Sequence, residues 1–365
     1  MAADGGEGRG LHAPGATATE GGRGLATMLG LCTAILVAGA LSLAQAVLAP
    51  VAFALFAIAL AWPVQAHARR VLPHWLALLL ALLATLVVLV LLTAAAGWAF
   101  GRVARWVLAN AALLQALYAE KTAWLGARGI VLGDGLMAEG LDARWLVRLA
   151  QAVLVQLQGI ATFLALTLVF VLMGLLEADA AAAQLRRIGR ARPAALRVLA
   201  GLGAAAAKLR GYMLVRTLMS LLTGLAVWAF AAGMGLDLAA EWGVIAFVLN
   251  YIPFIGPLVA TLFPTLFAGL QFGNWQVALT VFLALQVIQN TFGSYVEPRL
   301  AGARLALSPF MVLVAVFLGS FLWGIPGAFI GVPVLIAAVA LCAQFEGSAW
   351  VAELLSGRDP PGEEH

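Results

Sequence analysis

One stretch of this chain sets polar side chains at helical spacing in an apolar background: Gln286, Gln289, Asn290, Gly293, Ser294 and Glu297. Steps of three and four residues put them on one face of a single helix. Amides, a hydroxyl and a carboxylate at that spacing can line a path for a polar solute or hydrogen-bond a neighbouring helix, and both uses stay open. Glu297, followed by Pro298, closes the stripe as its ionisable group, with Arg299 and Arg304 as candidate ion-pair partners.

Interruptions rich in proline and glycine lie on either side of this helix. Asn250-Tyr251-Ile252-Pro253-Phe254-Ile255-Gly256-Pro257 cuts a run from Trp242 to Val296 that has no Asp, Glu, Lys or Arg. Gly324-Ile325-Pro326-Gly327-Ala328-Phe329-Ile330-Gly331-Val332-Pro333 cuts a second charge-free run, Leu305 to Phe345. Proline removes a backbone donor and clashes with the preceding turn, so each helix must break there and free backbone polar groups. Inside a bilayer such backbone survives only when buried in protein or facing a wet cavity. Both interruptions share Ile-Pro, then Ile-Gly, then Pro, and breaks at matching places in two halves point to a transporter's substrate site. The candidate pathway residues are therefore Asn250, Pro253, Gly256, Pro257, Gln286, Gln289, Asn290, Ser294, Glu297, Pro298, Gly324, Pro326 and Gly327. Two arrangements are open: re-entrant hairpins of opposite orientation, or kinked spans. The hairpins keep Arg299 and Arg304 cytoplasmic, as the positive-inside rule prefers.

The elements that must carry these residues follow from composition. Of 365 residues 64% are hydrophobic and 10% charged, where a soluble domain has roughly 45–50% and about 25%. Several apolar stretches approach the roughly 20 residues that cross a bilayer. The expected fold is an all-α polytopic membrane protein of about eight hydrophobic segments, as six spans plus two re-entrant hairpins forming an inverted repeat. The net charge of +4 sits in basic loops that set orientation, with no nucleic-acid motif.

Residues 1–24 read as a disordered cytoplasmic tail, low in apolar content, and 25–100 as N-terminal transmembrane helices whose first pair hinges near Pro50. Residues 101–155 interleave charges with Trp106, Tyr118, Trp124 and Trp145, either as an extracytoplasmic or interfacial amphipathic segment or as a small soluble cap. Residues 156–176 read as a transmembrane helix. The segment 177–211, with Arg186, Arg187, Arg190, Arg192, Arg197, Lys208 and Arg210, reads as a basic cytoplasmic helix able to meet anionic headgroups. Residues 212–345 form the transport core, opening with an apolar helix from Tyr212 to about Met234, and 346–365 an acidic cytoplasmic tail.

Several chemistries lack their residues. There is no Gly-x-x-x-x-Gly-Lys-[Ser/Thr] loop for a nucleotide-driven pump and no His-Glu-x-x-His, and no histidine lies in a late apolar helix for a rhomboid-like pair. Cys32 and Cys342 lie far apart, and His12, His67, His74 and His365 make no ligand-spaced pair, so neither a metal nor another cofactor is expected. The ionisable candidates Asp237, Glu241 and Glu297 lie at segment ends. Backbone at the breaks, Asn250 and the glutamines suit a neutral, hydroxyl-rich solute.

The order and spacing of Ile252 to Pro257, Gln286 to Asn290, Pro298 with Gly302, Pro309, and Gly324 with Gly327 through Pro333 resemble the autoinducer-2 exporter (AI-2E) family of bacterial inner-membrane proteins. The resemblance covers about residues 25 to 345. It implies a multipass, non-enzymatic transporter in the cytoplasmic (inner) membrane, working as a homo-oligomer. Members are associated with efflux of a quorum-sensing signal or with sodium or lithium/proton antiport, so the coupling ion stays open. Gln289-Asn290 stands where many relatives have a glutamate beside an asparagine, which removes a proton-handling group and leans against antiport. Gly97-x-x-x-Gly101 and Gly327-x-x-x-Gly331 are candidate close helix contacts. Outside the transporter class, the alternative is a membrane scaffold binding partners through 101–155 or the basic segment.

Overall fold

The computed structural model describes residues 17–113, 115–116, 119–120, 143–301 and 307–356. Among the described residues the regular structure is entirely helical, and seven helices are long and apolar enough to cross a membrane. Large apolar side chains such as Leu91, Leu214 and Phe321 are exposed on them, as lipid rather than water requires. The chain divides into two compact units at Gln45.

The first unit carries helix α1, Thr17–Leu43. It begins inside the stretch expected to be disordered, where Glu20 favours a helix N-terminus; residues 1–16 lie outside the described ones. The break after α1 falls at Ala44, not at Pro50. Pro50 sits inside α2, Gln45–Ala68, which also absorbs Pro63; each lone proline removes one ladder bond without ending the helix.

In the second unit, α3 is His74–Ala109, α4 is Ala143–Gly189 and α5 is Pro193–Gly233. The amphipathic segment expected over 101–155 is shared between the ends of α3 and α4, with 121–142 outside the described residues. The basic segment is likewise not one helix. Its halves are the end of α4 and the start of α5, joined through Arg190–Arg192, with Pro193 at the first turn of α5, where its missing N-H costs nothing. At 47 and 41 residues, α4 and α5 run about 60–70 Å, twice the hydrocarbon thickness. Their basic ends therefore project beyond it. Arg69, at the end of α2, pairs with Asp179 on α4 and lies over the Trp62 ring, fixing α2 to this basic end.

Helix α5 is the spine against which both broken segments fold. After a turn, α6 (Ala239–Leu249) returns along it: a Cβ on Gly224 would come within 2.8 Å of the Gly243 carbonyl and of Phe247. The chain then reverses into α7, Ile255–Phe272. Near the far end of α7 the Gln271 amide accepts from the Asp237 N-H at 2.9 Å and donates to the Gly235 carbonyl at 3.0 Å. Both ends of this hairpin thus lie at the C-terminal end of α5. Glu241, 4% exposed at its opening, pairs with Arg102 on α3 at 2.8 Å. Val227, Trp242, Ile245, Phe267, Val281 and Leu285 form its core.

Helix α8, Trp275–Asn290, passes through a π-helical segment, Thr291–Val296, into the short α9, Glu297–Ala301. Helix α10, Pro309–Cys342, reverses at Trp323 and Gly324, whose backbones leave the helical region. Its limbs lie backbone to backbone: a Cβ on Gly327 would overlap the Gly319 carbonyl, and one on Gly331 the Ala315 carbonyl. Near the end of α10, Leu341 and Gln344 crowd Gly201, and Glu346 approaches Arg197 at 4.0 Å. This second hairpin therefore opens at the N-terminal end of α5. A turn at Glu346–Ser348 and α11, Ala349–Ser356, follow.

Candidate functional site

Midway along α5 the helix turns Arg216, Ser220 and Thr223 inward, all buried. Thr217, beside Arg216, accepts a hydrogen bond from the Tyr251 hydroxyl at 3.0 Å, and Ser220 Oγ accepts one from the Asn250 side chain at 3.4 Å. The first hairpin tip is thereby held on a polar strip of α5. Its reversal is a γ-turn: Ile255 N-H donates to the Pro253 carbonyl at 2.7 Å around Phe254, at φ 63° and ψ −54°. That conformation is rare and strained for a residue with a side chain. Gly256 is required next, since a Cβ there would overlap the Leu249 carbonyl.

At the second tip Gly324 takes φ 63° and ψ −141°, a region open essentially to glycine alone. Just beyond it Phe329 stacks on Tyr251 with centroids 5.5 Å apart and on Phe53 of α2 at 5.4 Å. The two tips therefore meet, one from each end of α5.

Beside this junction, Arg216 Nη1 donates to both oxygens of Glu297 at 2.9 and 3.0 Å. The side chains are 7% and 25% exposed. Arg299 is exposed, and Arg304 lies outside the described residues. Arg216 stands about 9 Å along the helix from Arg210, deeper than the basic end. Sequence reasoning missed it by treating Tyr212 to Met234 as uniformly apolar. The available signal was that Arg216 is the only charged residue between Arg210 and Asp237, and an isolated charge within a span calls for a partner.

The stripe on α8 does not stay on one α-helical face. Gln289 is buried and Gln286 half-buried, while Asn290 and Ser294 are exposed and Glu297 turns back to Arg216. The π segment between them shifts the register, which counting by threes and fours cannot register. Pro298 lies in α9, and Pro253, Pro257 and Pro326 flank the two reversals. Among the described residues, the buried polar atoms without a hydrogen-bond partner include Arg216 Nε, Thr261 Oγ1 on α7 and Gln289 Nε2 on α8. Buried polar groups are ordinarily paired, so each of these atoms has unspent hydrogen-bonding capacity, mostly as donors.

The glycine pairs divide in use. A Cβ on Gly97 would meet nothing within 4 Å, so that position makes no close helix contact within the described chain. Gly327 and Gly331 are both occupied by the other limb of their own hairpin.

Helices broken where their tips converge, an ion pair within a span and lipid-type outer surfaces define a multipass α-helical membrane protein of the transporter kind. Comparison with known proteins agrees. A family profile described as AI-2E family transporter matches residues 29–347. The chain is 29% identical to the AI-2 transport protein TqsA of Escherichia coli K12, over 93% of this chain and 97% of the relative. It is 24% identical to a putative transport protein of Haemophilus influenzae, over 85% and 90% of the two chains. A putative transport protein of Borreliella burgdorferi is 34% identical over 39% and 40%. The chain belongs to the AI-2E transporter family, and is a membrane transporter whose relatives are bacterial.

Proposed function

We propose that this transporter moves a small polar organic solute out of the cell by alternating access. The observation that carries the reading is the contact of Tyr251 with Phe329, where hairpins opening at opposite ends of α5 meet. A solute held there is separated from either side by one hairpin, and rocking either one opens one side only. Asn250, Gln289 and Glu297 supply hydrogen bonds around it, while Pro253, Gly256, Pro257, Gly324, Pro326 and Gly327 shape the tips. Gln286, Asn290, Ser294 and Pro298 complete the pathway on the α8 side. The name of the Escherichia coli relative suggests autoinducer-2, a quorum-sensing signal, as the class of cargo. The protein sits in the bacterial cytoplasmic membrane with both hairpins re-entrant and both termini cytoplasmic, since this puts the basic junction of α4 and α5 inside. It works as a homo-oligomer without a cofactor.

The test is export. Purified protein in liposomes should release preloaded labelled autoinducer-2 faster than empty liposomes, and tip variants such as Gly324→Ala should slow it. A pH-sensitive dye in parallel liposomes reports the rival activity. Proton movement triggered by sodium or lithium, lost in Glu297→Gln, would make the protein an antiporter and overturn the reading.

A further inference from the structure

We infer that Arg216 is the anchor for an oxyanion on the transported solute, and that Glu297 is an internal competitor occupying that anchor when the solute is absent. This rests on the transport reading above for the act of transport and departs from it on the cargo, replacing a neutral signal molecule by a solute carrying a carboxylate or phosphate group.

Arginine normally meets a carboxylate through two parallel N-H bonds from two nitrogens. Here Nη1 serves both oxygens of Glu297, and Nε, buried, has no partner among the described residues. The guanidinium is thus only partly used by its present anion. It is also the hidden member, at 7% exposure against 25% for Glu297, so any solute must move the carboxylate aside to reach it.

Glu297 has the means to move. It follows directly on the π segment Thr291–Val296. Converting one turn between π and α rotates all that follows by about 100° about the helix axis, enough to swing Glu297 off Arg216. The displaced carboxylate leaves toward the more exposed side. The guanidinium itself suits an incoming oxyanion: its buried Nε is a donor that Glu297 leaves unused. Arg216 also adjoins Thr217, which holds Tyr251 at the meeting of the tips, so filling the anchor is felt where access is controlled.

The experiment uses full-length protein in lipid nanodiscs, with lactate and methyl phosphate as anionic probes and lactamide and glycerol as neutral ones, read by saturable thermal stabilisation. The anions stabilise the wild type and the neutral probes do so less. Glu297→Gln removes the competitor and tightens anion binding about tenfold or more, because the competent state no longer has to be freed. Arg216→Gln abolishes the anion response. Should it fold poorly, Arg216→Gln/Glu297→Gln strands no charge and abolishes the response equally. Unchanged anion affinity in Glu297→Gln, or an anion response surviving in the double variant, overturns the inference. Stabilisation by glycerol alone also overturns it, yet leaves the transporter of a neutral solute standing. Anion binding with the expected pattern in a protein that exports nothing upholds the exchange at Arg216 and faults the transport reading instead.

Discussion

Alanine at Gly327 tests the hairpin directly, because its consequence depends on two backbones lying in contact. A Cβ there overlaps the carbonyl group of Gly319 and lies 3.0 Å from the Trp323 Cβ. Neither obstacle is a flexible side-chain end, so the limbs themselves must part, by about 1 Å or more for ordinary contact. A gap of that size forfeits about a quarter to a half of each dispersion contact across it. The buried residues facing this seam include Val316, Ala328, Ile330 and Val332. Overpacking a close-packed site typically costs about 1–3 kcal/mol, and two rigid backbones put Gly327→Ala near the top of that range. Gly97→Ala is the control, since a Cβ there meets nothing within 4 Å and alanine gains about 0.5–1 kcal/mol in a helix interior. Thermal unfolding in one detergent and lipid mixture should show Gly327→Ala well below the wild type and Gly97→Ala at or above it. Gly319→Ala and Gly331→Ala should follow Gly327→Ala. If Gly327→Ala melts with Gly97→Ala, the limbs are not in backbone contact and the reversal at Gly324 is wrong.

Two further outcomes follow from the same geometry. Phe254→Gly should raise the unfolding temperature, because it relieves a side-chain residue at φ 63° worth about 1–3 kcal/mol, with part offset by lost contacts; a lower temperature would mean the γ-turn stores no strain. With Cys32 and Cys342 replaced, single cysteines at Asp237 and Gly273 should be labelled from outside the cell and at Arg299 and Phe345 from inside. Labelling of Asp237 and Gly273 from different sides would make α6 and α7 one kinked span.

What the sequence reveals and conceals has physical causes. Apolar runs and charge-free stretches announce membrane helices because lipid imposes composition over whole segments. The breaks near Pro253 and Gly324 are legible because proline and glycine act through their own backbone and occur there together. Pro50 carries the same local signal yet is absorbed within α2, as Pro63 and Pro264 are within α2 and α7; a lone proline removes one ladder bond, whereas the breaks combine proline with glycine. Arg216 is hidden for the opposite reason. A lone guanidinium among leucines scarcely lowers a window average, and its meaning lies in Glu297, 81 residues away.

The π segment was the least legible feature, and the ion pair depends on it. Gln289 and Glu297 are eight positions apart, so an uninterrupted α-helix would leave them about 80° apart around the axis. One residue absorbed without advancing the helix brings them to within about 20°, so that the buried amide and the paired carboxylate turn the same way. No composition marks such an insertion, because it relaxes the ladder without needing proline or glycine. The spacing of the stripe is therefore a guide to which residues are polar and a poor guide to which of them meet. Asn290 and Ser294 fit the repeat and are exposed, whereas Glu297 reaches Arg216 because the repeat is broken. A helix that needs an irregular turn to hold its carboxylate on a guanidinium can release it by losing that turn.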